Sequence, residues 1–119
     1  IVLCDRYVDS TVAYQGFGRG INLENVKTIN KIATENLLPQ CTFFIDIPVQ
    51  EAINRRKKSR KKTDRMEEGT FSFFQNISNG FQYLVQNEPL RFIRIDGMNS
   101  IETIHQNIWT IVQSKLPLN

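Results

Sequence analysis

Asp5 and Arg6 stand side by side where the apolar run Ile1 to Cys4 ends. A charged pair at the carboxyl end of a buried strand is costly unless something occupies it. Arginine offers a planar fork of donors that matches a phosphate, and aspartate offers a ligand or water contact for a divalent cation. Open α/β sheets bind their ligands just beyond such strand ends. A segment carrying Ser10, Thr11, Tyr14 and Gln15 follows, and then the glycine-rich turn Gly16-Phe17-Gly18-Arg19-Gly20. The plainer reading is an ion pair that caps a strand, and the dipeptide alone does not separate the two.

Charge gathers a second time between residues 55 and 68, which hold eight Lys or Arg against three acids. The formal charge of +3 is therefore a local +5 set against −2 elsewhere. Seven of the eight residues from Arg55 to Lys62 are basic, enough to bind any polyanion with strong salt dependence. Aromatics that stack exposed bases are not interleaved there, since Phe71, Phe73 and Phe74 fall on an amphipathic stretch. Nucleic-acid binding is thus the rival class of function, and Lys57, Lys58, Lys61 and Lys62 read as a solvated face. Cys4 and Cys41 lack the spacing of a zinc site and read as two buried, reduced thiols. His105 takes no role, and Trp109 reads as packing.

Three motifs carry a resemblance. Asp5-Arg6-Tyr7 runs on into Ser10-Thr11-x-Ala13-Tyr14-Gln15-Gly16. Arg60-x-x-x-Asp64-Arg65-Met66-Glu67 precedes Phe71 and Phe73-Phe74, and Ile95-Asp96-Gly97 closes an apolar run ahead of a helix. Across essentially the whole chain, these resemble the substrate segment, the lid and the adenine loop of bacterial thymidylate kinases (dTMP kinases). The resemblance implies transfer of the γ-phosphoryl group of ATP to dTMP, giving dTDP, with Mg2+ as cofactor. Charge neutralisation and alignment dominate such a reaction.

By that resemblance Arg6 would grip the acceptor phosphate, and Asp5 would hold a magnesium water or position Arg6. Thr11 would bond the thymine edge, with Gln15 beside the base or sugar. Tyr14 would pack on the deoxyribose and leave no space for a 2′-hydroxyl. Arg60 would close over the transferring phosphates on a lid at residues 55–68. Arg56 would stack on adenine, Asp64 and Arg65 would link the lid to the substrate side, and Asp96 and Gly97 would shape the adenine loop. Arg19 would reach either substrate or a local carboxylate. A cytoplasmic homodimer is implied for the complete protein, with no membrane and no nucleic-acid partner.

Nowhere do the 119 residues contain Gly-x-x-x-x-Gly-Lys-Ser/Thr, the loop that cradles ATP phosphates. In the resembled family it lies upstream, so residues 1–119 are expected to be the C-terminal part of one kinase domain, inactive alone. Other P-loop deoxynucleoside or nucleotide kinases also carry an Asp-Arg pair after a strand. The continuation Tyr14-Gln15-Gly16 favours dTMP over these, and a remnant with no activity is a third reading.

The elements that must hold these residues follow from periodicity. Ile1–Cys4 reads as a buried strand, and Arg6 to Gln15 as a short helix ended by the glycines of 16–20. Val26, Ile29, Ile32, Ala33 and Leu37 recur at helical spacing from Leu23 to Leu38, and Pro39 stops that run. Thr42–Ile47 and Phe92–Asp96 read as parallel strands, and Pro48 opens a helix between them that dissolves into the basic run. Phe71, Phe74, Ile77, Phe81, Leu84 and Val85 stripe a long helix. Asn99 with Glu102 resembles a capping box for a last helix with Ile101, Ile104, Ile108 and Val112 inward.

This alternation predicts an α/β fold, a three-layer α/β/α arrangement of the P-loop NTPase, nucleoside monophosphate kinase-like kind. Its parallel sheet would be incomplete because the N-terminal strands are missing. Ile1–Cys4 and Thr42–Ile47 would lack a shared neighbour, so the chain alone is expected to fold poorly or to need completion by another polypeptide.

Overall fold

The computed structural model describes residues 1–58 and 70–115. Strand β1 (Thr42–Asp46) and strand β2 (Phe92–Asp96) pair in parallel, with Thr42 opposite Phe92 and Asp46 opposite Asp96. Both are short runs of β-branched and aromatic residues, which suit a sheet covered by helices. Ile1–Cys4 is not a strand: Ile1, Val2 and Leu3 are 93%, 86% and 92% exposed. A strand exists through its ladder partner, and no described strand lies beside these residues. Their hydrophobicity alone does not order them.

The predicted first helix divides. Helix α1 (Val8–Thr11) passes directly into a π-helical stretch, Val12–Gly18, whose wide turns show in the Arg19 N–H donating to the Tyr14 carbonyl at 3.0 Å. Gly16 and Gly18 therefore lie inside helical structure, and the chain leaves it through Gly20 at φ +72°. Helix α2 (Leu23–Thr34) starts at Asn22, whose side chain accepts from the N–H groups of Glu24 and Asn25 at 3.0 and 3.2 Å. It ends four residues before the predicted Leu38, because Glu35 and Asn36 turn left-handed at φ 52° and 62°. Val26 is its buried residue, while Ile29, Ile32 and Leu37 are exposed.

Helix α3 (Val49–Lys58) begins one residue after Pro48, whose carbonyl accepts from the Ala52 N–H at 3.0 Å. It continues through the first four residues of the basic run instead of dissolving at Arg55. Arg55 to Lys58 form its last turn, where cations favour the helix dipole. Helix α4 (Phe71–Asn87) is capped by Thr70 and buries Ile77, Gly80 and Leu84; Phe74, Phe81 and Val85 are half-buried and Phe71 is exposed. Helix α5 (Ile101–Lys115) is capped by Ser100, whose hydroxyl accepts from the Thr103 N–H at 3.2 Å, in place of the predicted Asn99. Its inward face is thin, with Ile104, Ile108 and Val112 half-buried and Ile101 exposed.

The core gathers where the π segment, α2, α4 and β2 meet, around Val12, Val26, Leu84 and Phe92. Each such side chain contributes about 1.5–3 kcal/mol on burial. Phe44 stacks on Phe81 with ring centroids 5.1 Å apart, joining β1 to α4. The π segment and α4 approach most closely at fully buried Ala13 and at Gly80, where an added Cβ would stand 3.0 Å from the Ala13 Cα. Both cysteines are free, but Cys4 is exposed, contrary to its reading as a buried thiol. Cys41 is partly buried, and that burial pushes its thiol pKa up against the opposing pull of Lys115.

Candidate functional site

Arg6 does not sit at a strand end. It occupies a left-handed bend at φ 65°, and Tyr7 after it is extended, so the chain reverses sharply before α1. The bend swings the Arg6 guanidinium back over the Tyr14 ring, 5.3 Å from its centroid. Phe73 of α4 meets the same ring edge-on at 6.3 Å. Tyr14 is thereby braced by an apolar neighbour and faced by a cation.

The side chains that the sequence marks converge here. Arg6, Thr11, Tyr14 and Gln15 line one cleft of about 530 Å³, together with Ser10 of α1 and Asn30 of α2. Helical spacing brings this about: Ser10 and Tyr14, like Thr11 and Gln15, lie four residues apart. The cleft offers a guanidinium for an anion, a ring for a sugar or base to rest on, and a hydroxyl and an amide for hydrogen bonds. Asp5 is exposed and lies outside the lining, and Arg19 is exposed at the end of the π segment.

Asp9 and Arg91 escape a sequence reading. The two form paired bonds at 2.7 and 2.8 Å with side chains only 8% and 12% exposed. Arg91 also bonds Glu88 at 2.6 Å and donates to the Thr42 hydroxyl at 2.9 Å. The Asp9 hydrogen bond, partly offset by burial, raises the Arg91 pKa above its ordinary value. Asp9 differs from an ordinary helix-surface aspartate only in what it meets, and its partner stands 82 positions away.

A second cleft of about 590 Å³ opens beyond the carboxyl ends of the two strands, lined by Asp46, Pro48, Gln75, Gln82, Asp96 and Met98 among others. Asp46 is held by Gln82 at 3.1 Å and by Arg94 at 3.3 Å. Gly97 is pressed against β1: its N–H donates to the Asp46 carbonyl at 2.8 Å, and a Cβ there would stand 2.5 Å from Ile47. The Asp96 carboxylate accepts from the Met98 N–H at 2.9 Å, closing the turn. Arg55 reaches that turn from α3, donating to the Gly97 carbonyl at 3.3 Å. Arg56 lies over the Phe74 ring at 4.5 Å. Arg60, Asp64 and Arg65 lie outside the described residues.

Among the described residues no three His, Cys, Asp or Glu side chains gather as a metal cluster. Magnesium keeps most of its waters and takes few protein ligands, sharing the rest with phosphate oxygens. A solvated carboxylate such as Asp5 fits a contact made through water and would not hold the ion by itself. No helix among the described residues is long and apolar enough to cross a membrane.

A parallel strand pair joined through helices, beside a cleft of arginine, tyrosine and hydrogen-bonding groups, makes this an α/β protein. Residues 1–108 match the thymidylate kinase family, and the chain belongs to it. It is 42% identical over 116 residues to a thymidylate kinase of Thermoanaerobacter sp. (strain X514), covering 98% of this chain and 56% of that protein. Thymidylate kinases of Trichodesmium erythraeum (strain IMS101) and Synechococcus sp. (strain JA-2-3B'a(2-13)) are 44% and 38% identical, covering 98% and 99% of this chain and 51% and 55% of theirs. The chain thus spans about half the length of the curated relatives it matches.

Proposed function

We propose that this chain supplies the nucleoside monophosphate side of a thymidylate kinase, holding dTMP to receive the γ-phosphoryl group of ATP. The observation that carries the reading is the convergence of Arg6, Thr11, Tyr14 and Gln15 on one cleft. Arg6 binds the acceptor phosphate through parallel N–H bonds, giving up its contact with the Tyr14 ring as it turns to the ligand. Thr11 and Gln15 satisfy the pyrimidine edge and the sugar, and Tyr14 fills the space that a 2′-hydroxyl would need. A bound magnesium ion would neutralise the phosphates of ATP, with Asp5 touching one of its waters. These 119 residues form the C-terminal part of one domain, with the lid at residues 55–68.

Arg56 and the turn at Asp96 and Gly97 form the adenine side, and Arg60, Asp64 and Arg65 serve the lid. The complete enzyme works as a homodimer in the cytoplasm, and the phosphate loop comes from outside these residues. Two residues of the basic run have partners within the chain. Arg55 is engaged by Glu51 and Gly97, and Arg56 lies over an aromatic ring.

The test is calorimetric titration with dTMP and a phosphoryl-transfer assay, both on a chimera joining the chain to the upstream part of the Thermoanaerobacter relative. Arg6→Ala should weaken dTMP binding by about a hundredfold and abolish turnover in the chimera, leaving ATP affinity near wild type. Wild-type turnover in that variant would overturn the assignment.

A further inference from the structure

We propose that the buried Asp9–Arg91 pair is the positioning device of the dTMP cleft, locking the short helix that carries the substrate residues to the starts of both strands. The proposal rests on the reading of that cleft as a dTMP site. Helix α1 is the uncapped first turn, four residues long, of the helical stretch that continues to Gly18, so its own bonds do not fix its start. Something outside it must fix where Arg6 and Thr11 point.

Asp9 lies between those two residues in the chain and faces away from the cleft, while its neighbours Val8 and Ser10 line it. The Asp9 carboxylate takes both N–H bonds of Arg91, the residue that leads into β2. The hydroxyl of Thr42, the first residue of β1, donates to the same carboxylate at 3.3 Å. One carboxylate thus ties the substrate helix to the entry of each strand. Asn30 adds a second tie from α2, donating to the Val8 carbonyl at 3.0 Å.

Buried ion pairs of this kind rarely stabilise a fold more than apolar residues would, and their best use is to specify one geometry. The surroundings fit that use. The Arg91 guanidinium is satisfied on every side, by Asp9, Glu88 and Thr42, and lies 4.7 Å from the centroid of the Phe92 ring. None of these groups touches the cleft. Asp9 and Arg91 are positioning residues, acting on ligand only through the segment they hold.

Asp9→Asn keeps the size of the side chain and removes its charge. Titrated with dTMP in the chimera with the upstream part of the relative, this variant should lose about tenfold or more in affinity, because a site held loosely is a poorly organised one. Amide resonances of β1 and β2 should stay in place, while the signature of positive φ at Arg6 fades. A charge exchange, Asp9→Lys with Arg91→Glu, should recover part of the lost affinity, which a general packing defect would not allow. Wild-type affinity in folded Asp9→Asn overturns the proposal. Should that variant unfold, Thr42→Val decides instead: weaker binding over an intact sheet supports the proposal, and unchanged binding refutes it. A folded chimera with the wild-type sequence here and no affinity for dTMP would instead remove the reading of the cleft, and this inference with it.

Discussion

Arg6 holds its place through a backbone conformation that costs a non-glycine residue about 1–2 kcal/mol. The sequence names this residue and not its bend, because nothing in Asp-Arg-Tyr signals a positive φ. The same limit hides Asp9: a partner 82 positions away leaves no local trace, whereas Thr11, Tyr14 and Gln15 are legible from their helical spacing. Phe73 meets the Tyr14 ring edge-on and braces it at the cleft wall, a contact that remains when Arg6 turns away. Tyr14→Ala should therefore shrink the preference for dTMP over its ribose counterpart by about 1–3 kcal/mol, the cost of forcing an unpaired hydroxyl into a packed site. Competitive titration with the two nucleotides measures this, and an unchanged preference would assign the tyrosine to packing alone.

At the scale of elements, β1 and β2 are legible because short β-branched and aromatic runs bounded by turns have few other uses. Ile1–Cys4 shows the same pattern, yet it lies exposed, since pairing depends on a neighbour that pattern does not record. Helix ends mislead in a similar way. Pro39 marks a certain stop, but Glu35 and Asn36 turn out of the helix before the chain reaches it. The start of α5 falls to Ser100, and Ser100→Ala should destabilise that helix by about 1 kcal/mol, read from amide exchange of its first turn.

Glu102, fully exposed in that turn, has its pKa lowered by its own backbone N–H and then by Ser100. A depressed carboxylate stabilises the fold above its unfolded pKa, and that support is lost as pH falls through the folded value. Protection of the α5 start should therefore fade in acid, below the usual carboxylate range, and should do so less steeply in Ser100→Ala. Where α4 crosses the π segment, Gly80→Val would drive a side chain into Ala13 and Phe17. It should cost about 1–3 kcal/mol in denaturant unfolding, and a neutral effect would mean that the two helices can separate freely.

Taken whole, the chain leaves apolar side chains uncovered on several sides: Ile1 to Leu3, Ile29 and Ile32 on α2, Leu37 and Leu38 after it, and Ile45 on β1. Exposed apolar surface on this scale favours association. The isolated chain should melt over a broad range and sediment faster as its concentration rises, and joining it to the upstream part of a relative should sharpen the transition. A monodisperse sample with a steep melting curve would show that the described core suffices.

The wide turns from Val12 to Gly18 carry one further implication. Chain length is itself a recognition element in this stretch, because the extra residue per loop of backbone sets the azimuth of Tyr14 and Gln15. Excising a single residue would tighten the stretch toward ordinary α-helical winding and change where Tyr14 and Gln15 point. Insertions and deletions here should accordingly be far more damaging than substitutions.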